Sequence, residues 1–185
     1  MQKERPILFS APMVRAILEG RKTQTRRIVR PQPENGISEC LWVSSGLAHK
    51  SDVGTCSCRE IKCKYGHVGD RLWVRETFAT PYIDDDRFNG TTEVFYRADG
   101  ETSLIDKWKP SIFMPRLYSR IDLEITGVCA EQLQDITQEG AEAEGATPKD
   151  PRILYDDYIF RPDFRGGFID LWKSINGPGS WDANP

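Results

Sequence analysis

Apolar residues recur along the chain in two periods, and the elements follow from where the period changes. Residues 5–9 (Arg-Pro-Ile-Leu-Phe) predict a short strand. From Ser10 the spacing becomes helical: Met13, Val14, Ile17 and Leu18 share one face, Pro12 sits in the first turn, and Gly20 is placed to end the helix. Ile28 and Val29 predict a strand that stops before Pro31 and Pro33. Residues 31–68 show little periodicity and predict an irregular insertion. After the Gly69-Asp70 turn, Arg71–Thr77 is rich in strand formers, and a further strand is predicted at 93–97. Residues 109–116 predict a loop, because two prolines bracket the apolar trio Ile112, Phe113 and Met114.

Within 119–128, Ile121, Leu123 and Ile125 alternate with Asp122, Glu124 and Thr126, the period of a half-buried strand. Thr137 is placed to cap a second helix that stops at Gly145. Phe164, Phe168, Leu171, Trp172 and Ile175 repeat at three and four, a third helix ending before Gly177. Strands with helices between them predict an α+β fold, and 185 residues suit a single domain, 1–185, carrying the insertion. Trp73 and Trp172 lie in periodic runs and are expected in the core. Trp42 and Trp108 lie in irregular segments and are candidates for exposed stacking. Cys129, at a strand end, is expected to be a small core residue.

Charge changes the picture locally. Residues 1–30 hold eight Lys/Arg and two Glu, a balance of +6. The other 155 hold 17 basic and 26 acidic residues, a balance of −9, which together give the net −3. A basic stretch on an acidic body points to a local anion site, not to a protein that coats nucleic acid throughout. No apolar run approaches the roughly 20 residues a membrane span needs. The charged start, Met-Gln-Lys-Glu-Arg-Pro, lacks a secretory apolar region, so a cytoplasmic protein is expected.

The basic stretch carries a pattern. Gly20, Lys22, Thr25 and Arg27 fit Gly-x-Lys-x-x-(Glu/Thr)-x-Arg. With the capped run Ile136–Gly145 and the Gly69–Glu76 turn and strand, it resembles the ASCH domain, a relative of the PUA fold, and in particular ASCH proteins of bacteria and their prophages. The resemblance implies a PUA-like β-barrel with flanking helices. It also implies a modified nucleoside or RNA as partner. The bacterial N4-acetylcytidine amidohydrolases of this group use a Lys, a Thr three residues on and a Glu from the second helix. Matched by position, these are Lys22, Thr25 and Glu144.

A desolvated lysine can serve as base for a threonine nucleophile, and Glu144 can orient it or pass a proton to the leaving amine. Arg21, Arg26 and Arg27 are then candidates to hold a ribose or phosphate. Two alternatives stay open: RNA binding without catalysis, and a ribonuclease, the latter weakened by the lack of a plausible histidine pair. Members of the group commonly close the barrel with an apolar strand after a segment like Gly177–Trp181. None follows here, so either the chain is truncated or the barrel keeps an open edge, which would favour self-association through it.

No organic cofactor is implied, since neither a dinucleotide-binding glycine fingerprint nor a phosphate-cradling loop is found. Cys40, Cys56, Cys58 and Cys63 cluster in the insertion with His49 and His67. Four thiolates can close a structural zinc site. The tight Cys-x-Cys step favours ordinary loop thiols instead.

Overall fold

The computed structural model describes residues 2–30, 41–43, 59–61, 63–80, 93–100, 105–153 and 160–185. In chain order the elements begin β1 (Glu4–Leu8), α1 (Ala11–Leu18), β2 (Leu41–Val43), β3 (Arg59–Ile61), β4 (Arg71–Arg75) and β5 (Phe78–Ala79). They continue with β6 (Phe95–Tyr96), β7 (Asp122–Glu124), α2 (Gln138–Ala143), β8 (Lys149–Ile153), β9 (Phe160–Asp163) and α3 (Phe164–Asn176). The class is α+β. The described strands form one three-stranded sheet, β1-β4-β7, and three two-stranded pairs, β2-β3, β5-β6 and β8-β9. No closed barrel is among them. Contacts divide the chain into two compact units, one mainly Met1–Arg15 and Arg59–Cys129, the other mainly Ala16–Leu41 and Ala130–Pro185.

The first unit is built on the three-stranded sheet. β1 runs parallel to β4, with Ile7 opposite Val74, and β7 runs antiparallel to it, with Leu72 opposite Leu123. Alternation sends Ile7, Leu72, Val74, Ile121 and Ile125 into the core and leaves Arg71, Asp122 and Glu124 outside. Pro6 is tolerated because β1 is an edge strand. The Asp70 carboxylate ties the sheet's start together. It accepts the Lys3 N–H at 2.9 Å, Arg5 Nη1 at 2.8 Å and the His67 N–H at 3.2 Å. Those donors, the Lys3 amide foremost, lower its pKa to about 2.

Several expected elements are shorter or differently placed. The strand expected over 119–128 is confined to Asp122–Glu124, and that over 93–97 to Phe95–Tyr96, after which the chain tightens into a 3-10 turn at Arg97–Asp99. The loop over 109–116 contains a 3-10 turn at Ser111–Phe113, and a second follows at Arg116–Tyr118. In that loop Met114 is buried while Ile112 and Phe113 are exposed. Trp73 is half-buried rather than core: its ring sits at a strand's outward position, with the Arg75 and Arg116 guanidinium carbons 5.0 and 5.9 Å away. Trp108 is half-buried under Arg97 at 5.5 Å. Cys129 is exposed, because it lies past the end of β7 where no alternation holds it inward. The Trp42 side chain lies outside the description.

The second unit gathers Leu133, Ile136, Ala141, Ala146, Phe168, Trp172 and Trp181 into one core. The Phe168 ring lies 5.9 Å from Trp172 and 6.3 Å, edge-on, from Trp181. Each such pair adds about 1 kcal/mol beyond the area it buries. Asp163 caps α3 by accepting the Gly166 N–H at 2.9 Å, and Thr137 caps α2 by accepting the Gly140 N–H at 3.0 Å. On α3, Phe168 and Trp172 point inward as the spacing predicts, but Ile175 in the last turn is exposed. On α1, Met13, Val14 and Ala16 are buried whereas Leu18 is exposed, so the inward face is rotated from the expected one. No described helix is long and apolar enough to cross a membrane.

Candidate functional site

The site grows from the end of α1. Gly20 takes φ +73°, a left-handed conformation that ends the helix cheaply, and its N–H donates to the Ile17 carbonyl at 2.9 Å. The Arg21 and Lys22 N–H groups both donate to the Ala16 carbonyl at 2.9 Å. The Thr23 and Gln24 N–H groups then donate to a single acceptor, the Ala143 carbonyl, at 2.8 and 2.9 Å. The basic turn is thereby fastened to the end of α2. From there to Val29 the stretch runs as coil, and the strand expected at Ile28–Val29 does not form. Gly145, at φ +77°, completes the fit: a Cβ there would lie 3.0 Å from Lys22 Cβ and 2.9 Å from Ala16 Cβ.

This fastening brings Lys22 and Glu144, 122 positions apart in sequence, into one buried ion pair. Lys22 Nζ lies 2.8 Å from Glu144 Oε2, and the two residues are 6% and 4% exposed. Nζ also donates to the Glu144 carbonyl at 2.8 Å and the Gln24 carbonyl at 2.6 Å. Burial lowers the lysine pKa, and the Arg27 and Arg26 charges add to that. The Glu144 carboxylate opposes it.

Thr25 follows within the same turn. Its Oγ1 is buried and has no hydrogen-bond partner among the described residues. A buried hydroxyl without a partner costs about 1–3 kcal/mol, so its retention calls for a reason.

The three arginines part company. Arg26 turns inward: Nε lies 2.6 Å from Glu131 Oε1 and Nη1 lies 3.2 Å from Glu144 Oε1, with the Phe168 ring 6.0 Å beneath the guanidinium. Two carboxylates thus share its charge. Arg21 pairs with Glu19 and lines an open depression of about 280 Å³ with Glu142, Ala146, Thr147, Pro148 and Phe164. Arg27 is half-buried, near enough for its charge to bear on Lys22. Sequence reasoning missed Arg26 as a partner of Glu144, and it missed Glu131 altogether. Nothing in the spacing of residues 26, 131 and 144 signals their meeting.

Of the four cysteines considered for zinc, Cys63 is half-buried with a free thiol, and Cys40, Cys56 and Cys58 lie outside the described residues, as does His49. Among the described residues no group of three or more His, Cys, Asp or Glu could hold a metal ion. Comparison with protein-family models, curated proteins and solved structures returns no match for this chain.

Proposed function

We propose that this chain is a PUA-like protein of the ASCH type that hydrolyses an acyl group from the exocyclic amine of a cytosine nucleoside, N4-acetylcytidine being the sharpest case. The observation that carries the reading is the buried Lys22–Glu144 pair within the turn that bears the unpartnered Thr25 hydroxyl. Lys22, Thr25 and Glu144 are the three positions the resemblance assigns to that chemistry. Thr25 is the nucleophile, Lys22 its base and Glu144 the proton store.

Glu144 Oε2 sits 2.8 Å from Nζ, close enough to take a proton from the ammonium. Desolvation favours the neutral amine that results. The amine gives up its hydrogen bond to the Gln24 carbonyl and turns to Thr25. It removes the hydroxyl proton as Oγ1 attacks the acyl carbon. The tetrahedral oxyanion collapses with cleavage of the bond to the cytosine N4, which takes the proton held by Lys22. Water, deprotonated by the same base, then attacks the threonine ester, and acetate leaves as Thr25 recovers its proton.

The test is direct. Purified protein is incubated with N4-acetylcytidine, and cytidine and acetate are followed in equal amounts. Release of both supports the reading, and none over many enzyme equivalents overturns it.

A second reading is favoured by one fact: three acceptors surround Lys22 Nζ, as they would around a structural anchor. On that reading the turn binds RNA without chemistry. Its affinity then falls steeply with salt as counterions are released from the phosphates, and no turnover is seen.

A further inference from the structure

Arg26 and Glu131 form a second layer behind the Lys22–Glu144 pair. The Arg26 guanidinium lies between two carboxylates, with Nε on Glu131 Oε1 at 2.6 Å and Nη1 on Glu144 Oε1 at 3.2 Å. Longer contacts at 3.4 Å to the Gly140 carbonyl and Gln24 Oε1 fix its plane. Because Arg26 occupies Oε1, the oxygen left to Lys22 is Oε2. The Glu131 side chain is 38% exposed and that of Glu144 5%, so one end of the bridge reaches solvent and the other is buried.

We infer that Arg26 is a positioning residue that holds Glu144 Oε1, leaves Oε2 to Lys22 and weakens the carboxylate's hold on the ammonium, and that Glu131, from the solvent side, tempers how strongly Arg26 does so. The inference rests on the reading of Lys22 as a base. It adds to that reading the residues that decide the pH at which the base form exists. Around Lys22 the charges are Glu144, Arg26 and Arg27. Around Arg26 they are Glu131 and Glu144, and α3 contributes the uncharged Phe168 ring.

The two variants move Lys22 in opposite directions. Arg26→Gln removes a positive charge that disfavours the ammonium, so the lysine titrates higher. Glu131→Gln removes a distant negative charge that favours the ammonium and frees Arg26 to act on Glu144 alone. Its sign follows from the balance: less opposing negative charge beside Arg26 means the lysine titrates lower. A merely structural role would loosen the pair in both variants and, by drawing away the carboxylate that favours the ammonium, send Lys22 downward in both.

The experiment follows the Lys22 ammonium directly, by ¹⁵N-detected titration of lysine-labelled protein, with the resonance assigned by its loss in Lys22→Met. The expected result is a rise of about one pH unit in Arg26→Gln, little change in Arg26→Lys, and a smaller fall in Glu131→Gln. Movement in the same direction for Arg26→Gln and Glu131→Gln, or none in either, overturns the inference. Should Arg26→Gln fail to fold, a fall in the exposed Glu131→Gln beside little change in Arg26→Lys still carries the inference, and a rise or no change in Glu131→Gln overturns it. The readout needs no substrate. Absence of hydrolysis with the opposed shifts present removes the proposed activity and leaves the positioning role intact.

Discussion

Each of the two units buries a glutamate against a basic side chain, and the two sites differ in the cations they use. In the first unit Glu76, 1% exposed, receives both arms of Arg120: Nε at 2.9 Å to Oε1 and Nη2 at 3.1 Å to Oε2. The same guanidinium reaches Asp99 with Nη1 and Nη2 at 2.8 Å each, and it lies 4.0 Å over the Tyr96 ring. Burial raises the Glu76 pKa, and Arg120 pulls it back. Arg120 is an always-charged cation in a rigid fork, so no proton can move along these bonds. In the second unit Glu144 faces both the Arg26 guanidinium and a lysine whose pKa burial has lowered, the latter in the same turn as a hydroxyl with no partner among the described residues. A guanidinium stays charged, whereas a desolvated amine beside a carboxylate can exchange a proton with it.

The largest effect expected from breaking this contrast comes from Glu144→Gln, which strands the buried Lys22 charge. Removing one partner of a buried pair costs about 3–5 kcal/mol, read by urea unfolding. The double variant Lys22→Met, Glu144→Leu should cost clearly less than the sum of the single changes, because no charge is left uncompensated. Equal cost for the double variant and the sum would show that the pair is not coupled. Next comes Arg120→Met, expected to lose about 2–3 kcal/mol, below the full figure because Arg120 is partly exposed. Its catalytic rate per folded molecule should be unchanged. A loss of rate there would erase the distinction between the two sites.

A smaller, pH-bound effect sharpens the picture of the first unit. The folded-state pKa of Asp70 lies below its unfolded value near 3.8, at about 2. Its contribution is therefore present above pH 3.8 and lost as pH falls towards 2. Asp70→Asn should lower the midpoint of unfolding at pH 7, and the gap between variant and wild type should narrow steadily in that acid window. A gap of constant size from pH 7 to pH 2 would mean that the carboxylate charge is not what matters. Glu76 has the opposite sign: its folded pKa is raised, so protonation favours folding, and this advantage fades as pH rises through that raised value.

What could be read from the sequence divides along physical lines. Caps and periodic helices were legible because they depend on neighbours three and four apart, and Thr137, Phe168, Trp172 and Gly177 fall as expected. The pairing of Lys22 with Glu144 was expected from resemblance alone, and the geometry places the two together. The strand expected at Ile28–Val29 is absent, and the Thr23 and Gln24 amides upstream of it donate instead to the Ala143 carbonyl, a partner no local pattern reveals. Leu18 and Ile175 are apolar at helical spacing yet exposed, since period alone does not say which flank of a helix another element covers. Glu76 reads as an ordinary charge within a strand run, and its burial depends on Arg120, 44 residues away. Arg26 looked like its neighbours Arg21 and Arg27. Only tertiary structure separates the arginine that turns inward from those beside it.

Thr25 gives the smallest expected change in stability and the most direct test of the central claim, that the second unit's pair serves chemistry at its lone hydroxyl. Thr25→Val keeps the shape and removes an oxygen with no hydrogen-bond partner, so unfolding should be unchanged or shifted up by about 1 kcal/mol. The measurement is the rate of cytidine release from N4-acetylcytidine by this variant beside the wild type, with nucleoside affinity determined on the same samples. The account predicts turnover lost by a factor of about a thousand or more, with affinity held within a few fold. A variant that retains most of the wild-type rate would contradict it.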